Sequence, residues 1–416
     1  MGGNSSGPHN GDTDNKLNPW MQPMEKILRA RRCSTVMAPP IVELKRRLFG
    51  SEEIPKDCLN LNQAVPSYPP PKVVLVTAKK VAESVSGAQY TGDAGLPELR
   101  EAIARYHSER HAAQLTADEV LVTAGANLGF SMLALALTAP QVPVHVLTPY
   151  YFNHAMAVEL CGGRLSEWRL AADTSLREAL HAGRFRAREG EIVVVVNPSN
   201  PSGRCFPKED IESVLAHTKQ WGAFLIVDET YLEFFPPTMP PVSLMSLPGW
   251  QENAAVVSTF SKSLAITGYR VGYVCGSAKL LEQILKIQDA FIICAPHIGQ
   301  QAALAGLCWD GLTEWLDTRR GEMESRVRVF AEAIAVSGCP FEVESAGAFF
   351  AYLRHPFDVD AWDVVSELAR DAGILVLPGS CCGSTEWRYI RVAVGNADEE
   401  TLALAADRMS KFCLSG

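Results

Sequence analysis

Six short runs rich in valine, isoleucine and leucine recur between residues 72 and 290, separated by helix-length amphipathic stretches. Continuous apolar runs are typical of parallel strands, because helices bury such strands on both faces. The sequence therefore predicts an α/β fold with a mostly parallel sheet flanked by helices. The six runs are Val120–Thr123, Val144–Leu147, Ile192–Val196, Phe224–Val227, Ala255–Ser258 and Val271–Val274.

The pattern of predicted elements changes near residue 300, where long helical segments are followed by shorter strand-like runs. We expect residues 1–18 to form a disordered tail, because they are rich in Gly, Asn, Ser and Asp. Residues 19–71 are expected to contribute to a smaller domain, 72–299 to form the large domain, and 300–416 to form the small α+β domain.

Composition and charge argue against several classes of protein. The formal net charge is −9 and no stripe of Lys or Arg offsets it, so no nucleic-acid partner is expected. No apolar run reaches the ~18–20 residues of a membrane span, and no signal peptide is recognised. The 11 cysteines lack metal-ligand spacing, so no metal site is expected. Reduced thiols in a chain of this size favour the cytoplasm.

In open α/β sheets, ligands bind beyond the carboxyl ends of the strands, so the residues after each run are candidates for a site. After the first run, the backbone N–H groups of Ala126 and Asn127 can face an anion at a helix N-terminus. Tyr151 follows the second run and offers a flat face for stacking. His154, close by, is better explained as a structural hydrogen-bonding residue than as a catalyst.

The third and fourth runs end in polar residues that suit an aromatic ring. The loop Asn197–Arg204 contains two Asn-Pro steps, and Asn200 within it can donate to a phenolate oxygen. Asp228 ends an apolar run, where a carboxylate needs a cationic partner such as a protonated pyridine nitrogen. Tyr231 can reach the phenolic oxygen of the same ring. Taken singly, these residues are also explained as turn formers or helix caps.

Lys262 follows the fifth run, where partial burial would lower the pKa of its amine and allow attack on a carbonyl. The hydroxyls of Thr259 and Ser261 and the guanidinium of Arg270 suit a phosphate group. An amine for an aldehyde, beside donors for a phosphate, is the set that pyridoxal 5′-phosphate requires. A solvated loop lysine is the alternative if this segment is considered alone.

Residues 60–412 resemble the class I/II aminotransferases of pyridoxal-phosphate fold type I. The resemblance implies a large domain with a mostly parallel sheet of the seven-stranded type, and a smaller α+β domain. It rests on an ordered set of motifs: Tyr90-Thr-Gly-Asp-Ala-Gly-Leu-Pro-Glu-Leu-Arg100, Val122-Thr-Ala-Gly-Ala-Asn127, Asn197-Pro-Ser-Asn-Pro-Ser-Gly203, Asp228-Glu-Thr-Tyr231, the Lys262 segment and Tyr389-Ile-Arg-Val392.

The resemblance implies a role for each strand-end loop. Lys262 would be the Schiff-base lysine and proton shuttle, and Asp228 the partner of the pyridinium. Asn200 and Tyr231 would contact the phenolic oxygen, and Tyr151 would stack on the ring. The residues implied to hold the phosphate are Gly125, Ala126, Asn127, Thr259, Ser261 and Arg270.

Two further roles come from the resemblance alone. Tyr90 resembles the tyrosine that reaches the phosphate of the neighbouring subunit, which implies a homodimer with shared sites. Arg391 resembles the arginine that binds the substrate α-carboxylate in bidentate fashion.

Two departures from the family pattern concern the substrate. Ala64 replaces a common glycine in a segment that usually lines the substrate side chain. Residues 288–297 contain no arginine, whereas relatives specific for dicarboxylates place one there. We therefore expect that aspartate and glutamate are not the preferred substrates, and the apolar stretch Phe291–Ala295 favours a neutral side chain.

The resemblance implies a ping-pong exchange of an amino group between an amino acid and a 2-oxo acid, with Lys262 removing the α-proton. The same residues support other reactions of the cofactor. The alternative is therefore a lyase, a γ-eliminating synthase resembling 1-aminocyclopropane-1-carboxylate synthase, or an oxidase. A regulator that retains the fold is disfavoured. Such regulators carry an added DNA-binding domain, and we expect an 18-residue tail to have no room for one.

Overall fold

The computed structural model describes residues 32–50, 53–171, 173–335 and 338–414. The predicted tail, residues 1–18, lies outside the described residues. The strands, numbered in chain order, are β1 (Leu59–Asn60), β2 (Val120–Thr123), β3 (Pro143–Thr148), β4 (Arg164–Arg169), β5 (Ile192–Val196), β6 (Phe224–Asp228), β7 (Ala254–Thr259), β8 (Gly272–Cys275), β9 (Glu342–Gly347), β10 (Phe350–Arg354), β11 (Ile374–Leu375), β12 (Leu377–Pro378) and β13 (Tyr389–Val392).

The larger lobe is built on a sheet of seven strands in the order β2-β8-β7-β6-β5-β3-β4. Strand β8 runs antiparallel to both of its neighbours, and the other six strands share one direction. The prediction of an α/β fold with a mostly parallel sheet is therefore confirmed. All six predicted runs form strands of this sheet.

Strand β4 is the one strand of this sheet that the apolar runs did not predict. Its sequence is Arg-Leu-Ser-Glu-Trp-Arg, and only Trp168 in it is buried. It pairs with β3 at the edge of the sheet, where a strand can carry charged residues because one side is open. Apolar runs identify strands buried on both faces, so an edge strand of this composition escapes the pattern.

Helices cover both faces of the large sheet, and alternate residues of a strand pack into separate cores. In β5, Val193 and Val195 pack into one core, whereas Ile192 and Val194 pack into the other. No helix in the described ranges is long and apolar enough to cross a membrane. The helices are α1 (Pro40–Phe49), α2 (Lys72–Ala82), α3 (Pro97–His111), α4 (Ala126–Leu137), α5 (Phe152–Leu160), α6 (Leu176–His181), α7 (Lys208–Trp221), α8 (Phe260–Ser263), α9 (Ala278–Ile292), α10 (His297–Leu307), α11 (Leu312–Ile334), α12 (Ala361–Asp371) and α13 (Glu399–Ser410).

The smaller lobe is built on a four-stranded antiparallel sheet in the order β12-β13-β10-β9. Strand β1 pairs in parallel with β11, so an early segment of the chain joins the C-terminal part. Helix α11 connects the lobes, since Leu316 packs into the larger core and Phe330 into the smaller one. The predicted domain limits themselves stay a prediction.

The backbones of the two lobes touch at Gly203 and Gly347. A Cβ atom added to Gly203 would collide with the carbonyl oxygen of Gly347, and one added to Gly347 would collide with the carbonyl oxygen of Gly203. The Ser345 hydroxyl supports this contact by donating to the Ser202 carbonyl at 2.8 Å. Gly203 belongs to the loop that carries Asn200, so the contact links that loop to the smaller lobe.

Replacing Gly203 with alanine should reduce thermal stability more than the same replacement at Gly183. Both glycines have left-handed φ angles, 70° and 67°, so both variants incur a backbone cost of about 1 kcal/mol. A Cβ at Gly183 meets nothing within 4 Å, whereas at Gly203 it meets backbone. We expect an additional loss of about 1–3 kcal/mol for Gly203→Ala, measured by thermal unfolding. Equal losses in the two variants would contradict the close contact between the lobes.

Candidate functional site

A cleft of about 630 Å³ lies at the carboxyl ends of the parallel strands, where the smaller lobe meets the sheet. A second cavity, of about 690 Å³, lies behind the loop Asn197–Arg204 and is lined by none of the predicted site residues. The predicted residues that line the first cleft are Ala64, Ala126, Asn127, Tyr151, Asn200, Asp228, Tyr231, Thr259, Ser261, Lys262, Arg270 and Arg391. The structure therefore brings together residues that are more than 300 positions apart in the chain.

Lys262 lies in the short helix α8, which begins where β7 ends. Thr259 caps this helix by accepting a hydrogen bond from the Ser261 N–H at 3.1 Å. The Lys262 Nζ donates to the carbonyl oxygen of Ala64. Burial lowers the pKa of Lys262 to about 7, and the nearby guanidinium groups of Arg391 and Arg270 act in the same direction. The amine is therefore available in its neutral, nucleophilic form near neutral pH.

Asp228 is the last residue of β6, and its side chain is buried. Its Oδ1 accepts from the Thr230 N–H at 2.9 Å, and its Oδ2 lies 3.1 Å from the His154 Nε2. The His154 ring stacks on Phe130 with 3.8 Å between centroids. His154 thus contacts the carboxylate of the site, and its structural role stays a prediction. These contacts hold the orientation of Asp228.

Arg391 reaches the cleft from β13 of the smaller lobe and is 2% exposed. Its Nη1 donates to the Oδ1 of Asn200 at 3.0 Å, and its Nη2 donates to the carbonyl oxygen of Asn62. The buried Nε of Arg391 has no hydrogen-bond partner among the described residues. Burial lowers the pKa of Arg391. A buried, incompletely paired guanidinium is suited to a carboxylate ligand.

Two tyrosines form the walls beside Lys262. The Tyr151 hydroxyl accepts from the Asn153 amide at 2.8 Å and lies 3.4 Å from the Oδ1 of Asn127. The Tyr231 ring lies 5.9 Å from the Lys262 Nζ, measured to the ring centroid. Burial raises the pKa of both phenols, so both are neutral hydrogen-bond donors near neutral pH.

The end of the cleft near β7 carries a set of donors that fits a phosphate group. The Thr259 and Ser261 hydroxyls lie 2.9 Å apart, and Arg270 lines the same end. Helix α4 starts at Ala126, so its first N–H groups are free of intrahelical partners. Gly125 has a φ of 86°, a conformation that favours glycine, and the Arg270 guanidinium lies directly beside it. Backbone N–H groups, hydroxyls and a guanidinium thus meet at one end of the cleft, a set that suits a phosphate group.

Two predicted residues are absent from the lining of the cleft. Gly125 lies at its edge and acts through the turn just described. Tyr90 is 75% exposed and is not among the residues that line the cleft. This placement leaves Tyr90 open to contact with a second subunit, and its role there stays a prediction.

One wall of the cleft was not predicted from the sequence. Helix α1 and the residues before it contribute Pro39, Pro40, Ile41, Val42 and Lys45. Nothing in the local sequence indicates that this helix folds over strand ends that come much later in the chain. In the described part of the chain, no group of three or more His, Cys, Asp or Glu side chains is arranged to hold a metal ion.

Comparison with known proteins agrees with this geometry. The family Aminotransferase class I and II matches residues 56–409. The aromatic aminotransferase ISS1 of Arabidopsis thaliana is 30% identical over 393 residues, covering 92% of this chain and 96% of that protein. An aspartate aminotransferase of Pyrococcus abyssi is 28% identical over 369 residues, covering 88% and 94%. The crystal structure of an aromatic aminotransferase from Pyrococcus horikoshii has a TM-score of 0.79 at 26% identity, covering 88% and 98%. The chain therefore belongs to the class I and II aminotransferases, a family of pyridoxal-phosphate-dependent transferases.

Proposed function

We propose that this enzyme binds pyridoxal phosphate and moves an amino group between an amino acid with a neutral side chain and a 2-oxo acid by a ping-pong mechanism. The observation that carries the proposal is the position of Lys262. Lys262 is partly buried, burial lowers its pKa to about 7, and it shares one cleft with Asp228 and Arg391. A reactive amine, a carboxylate for a ring nitrogen and a guanidinium for the substrate carboxylate are the groups that this reaction requires.

The residues of the cleft fit the cofactor part by part. Thr259, Ser261, Arg270 and the start of α4 would hold the phosphate. Asp228 would face the ring nitrogen, and Tyr151 would stack on the ring. Asn200 and Tyr231 would donate to the phenolic oxygen; because Arg391 already occupies the Oδ1 of Asn200, the Nδ2 group is the part of Asn200 that remains for this oxygen. When bound, pyridoxal phosphate supplies an aldehyde for amines and a ring that withdraws electrons from the substrate α-carbon.

Lys262 would move the proton in this reaction. A neutral amine accepts the α-proton of the substrate and can return a proton to an adjacent carbon. The hydrogen bond from the Thr230 N–H and the contact with His154 hold the Asp228 carboxylate, which would stabilise positive charge on the ring nitrogen. Arg391 would bind the α-carboxylate through donors that its Asn200 and Asn62 contacts leave free. Each chemical task thus has its own side chain.

An apolar part of the cleft lining favours a neutral substrate side chain. Ala64, Ile41 and Val42 line it, and residues 288–297 contain no arginine that could bind a second carboxylate. This pattern supports an amino donor with an apolar or aromatic side chain. The relatives named above include aromatic and aspartate aminotransferases, so the family accommodates more than one substrate class.

We also propose that the enzyme is a homodimer in which Tyr90 reaches the site of the partner. Exposed apolar residues accompany Tyr90 on helices α2 and α9 and between them: Leu75, Val76, Val85 and Phe291. A dimer interface would remove these side chains from water. A cytoplasmic location stays a prediction from the free cysteines.

Replacing Lys262 with alanine should abolish amino transfer. The wild-type enzyme with pyridoxal phosphate should convert an amino donor to its 2-oxo acid. A second 2-oxo acid should then accept the amino group and become an amino acid. Loss of the amine should reduce turnover by more than about 10⁴-fold. Mass spectrometry of both products is the measurement, and the exposed Lys208 provides a matched alanine control. Release of ammonia or a cyclic product from the wild-type enzyme would instead support the lyase or synthase alternative.

The amine of Lys262 should titrate near pH 7 in the cofactor-free protein. Burial disfavours the ammonium form and lowers the pKa to about 7, so the amine is protonated below that pH and neutral above it. The rate of reaction with a small aldehyde should therefore rise through pH 7, whereas an ordinary lysine titrates near ~10.4. Mass spectrometry of the modified peptide measures this rate. Because Asp228 raises the pKa, Asp228→Asn should lower the midpoint further. A midpoint near 10 would argue against a buried amine.

Replacing Arg391 with lysine should weaken recognition of the α-carboxylate. A lysine retains the charge and loses the planar pair of donors, so kcat/KM for amino acids should fall by about 10- to 100-fold. Simple amines that lack the carboxylate should lose far less. Arg388→Lys is the matched control, because Arg388 pairs with Asp358 at the surface. Equal losses for amino acids and amines would show that Arg391 acts in another way.

A further inference from the structure

One cation in the cleft has no part in the reaction proposed above. The cleft residues include four basic side chains, Lys45, Lys262, Arg270 and Arg391, and one carboxylate, Asp228. Lys262 is assigned to proton transfer, Arg270 to the phosphate and Arg391 to the α-carboxylate. Basic side chains therefore outnumber carboxylates in the cleft. Lys45 is the one basic residue of the lining to which the proposed reaction assigns no ligand group or task.

Lys45 differs from its neighbours on helix α1. Arg46 and Arg47 both pair with Glu43, at 2.6 Å and 2.7 Å. Lys45 makes no ion pair or hydrogen bond with any residue in the described ranges, and its side chain is partly buried. Among these residues its ammonium group therefore has no anionic partner, which suits it to pair with a ligand.

Helix α1 is held in an orientation that directs one face toward the cleft. Leu44 is fully buried in the core of the smaller lobe, and the Arg47 guanidinium lies 4.6 Å from the centroid of the Trp362 ring. Ile41 and Lys45 are four residues apart, so they share a face of the helix, and both line the cleft. Lys45 is thus part of an ordered wall.

We propose that Lys45 is a specificity-determining residue that binds the side-chain carboxylate of an acidic 2-oxo acid, the amino acceptor in the second half of the reaction. The inference rests on the function proposed above. Such an acceptor carries two carboxylates, and Arg391 accounts for one of them. Residues 288–297 offer no arginine for the other, whereas Lys45 lines the same cleft with an ammonium group that no described residue pairs with.

The same wall can accept a neutral side chain in the other half-reaction. Lysine has a flexible four-carbon stem, so its ammonium can turn toward water when no carboxylate is present. Ile41 and Val42 then provide apolar contact. A ping-pong reaction uses one cleft for both substrates in turn, and this wall can take a neutral donor and an acidic acceptor.

The test compares Lys45→Gln with Arg46→Gln in the complete enzyme with its cofactor. Single-turnover rates are measured for 2-oxoglutarate, which is acidic, and for 4-methyl-2-oxopentanoate, which is neutral. The ratio of kcat/KM for the acidic over the neutral acceptor should fall by about 10- to 100-fold in Lys45→Gln. Arg46→Gln should retain the wild-type ratio, because Arg46 is 70% exposed and pairs with Glu43.

A binding measurement provides a second readout that does not depend on turnover. Glutarate has two carboxylates and no oxo group, so calorimetry should show weaker binding to Lys45→Gln than to the wild-type enzyme by a similar factor. Circular dichroism establishes that the variant is folded. An unchanged acceptor ratio, or equal affinity for glutarate, would overturn the role of Lys45. Failure of the proposed function is distinguishable, because the wild-type enzyme would then transfer no amino group to either acceptor.

Discussion

The shared direction of six strands in the large sheet is the constraint on which the site depends. Parallel strands place all of their carboxyl ends at one edge, so the segments that follow β2, β3, β5, β6 and β7 converge there. Asp228 and Lys262 follow adjacent strands and face one cleft. The hydrogen bonds between paired strands fix the spacing of these loops. The helices on both faces of the sheet exclude water from it.

Electrostatic balance inside the cleft depends on contact between the lobes. Burial of Lys262 beside two guanidinium groups disfavours its protonated form, and this produces a reactive amine. Arg391 comes from the smaller lobe and bonds to Asn200 of the larger one. The backbone contact between Gly203 and Gly347 lies on the same loop as Asn200. Separation of the lobes would therefore alter both the hydrogen bond between Arg391 and Asn200 and the pKa of Lys262.

The loops of the site could be predicted from sequence because each combines a buried strand with an unusual residue at its end. Asp228 after an apolar run and Lys262 after another are local patterns that need little knowledge of the fold. Strand β4 could not be predicted in this way, because an edge strand has no apolar run. The contact between His154 and Asp228 could not be predicted either, because the two residues meet only when α5 packs near the end of β6.

The sequence by itself determined the α/β class, the loops that carry the site and, through its ordered motifs, the family. These properties follow from local periodicity and residue type, which are present before the chain folds. Tertiary structure decided which groups share an environment. It placed α1, and with it Lys45, beside residues more than 200 positions later in the chain, and it buried Lys262 next to Arg391. Packing and burial act between distant segments, so only the folded chain sets the charge balance and the shape of the substrate wall.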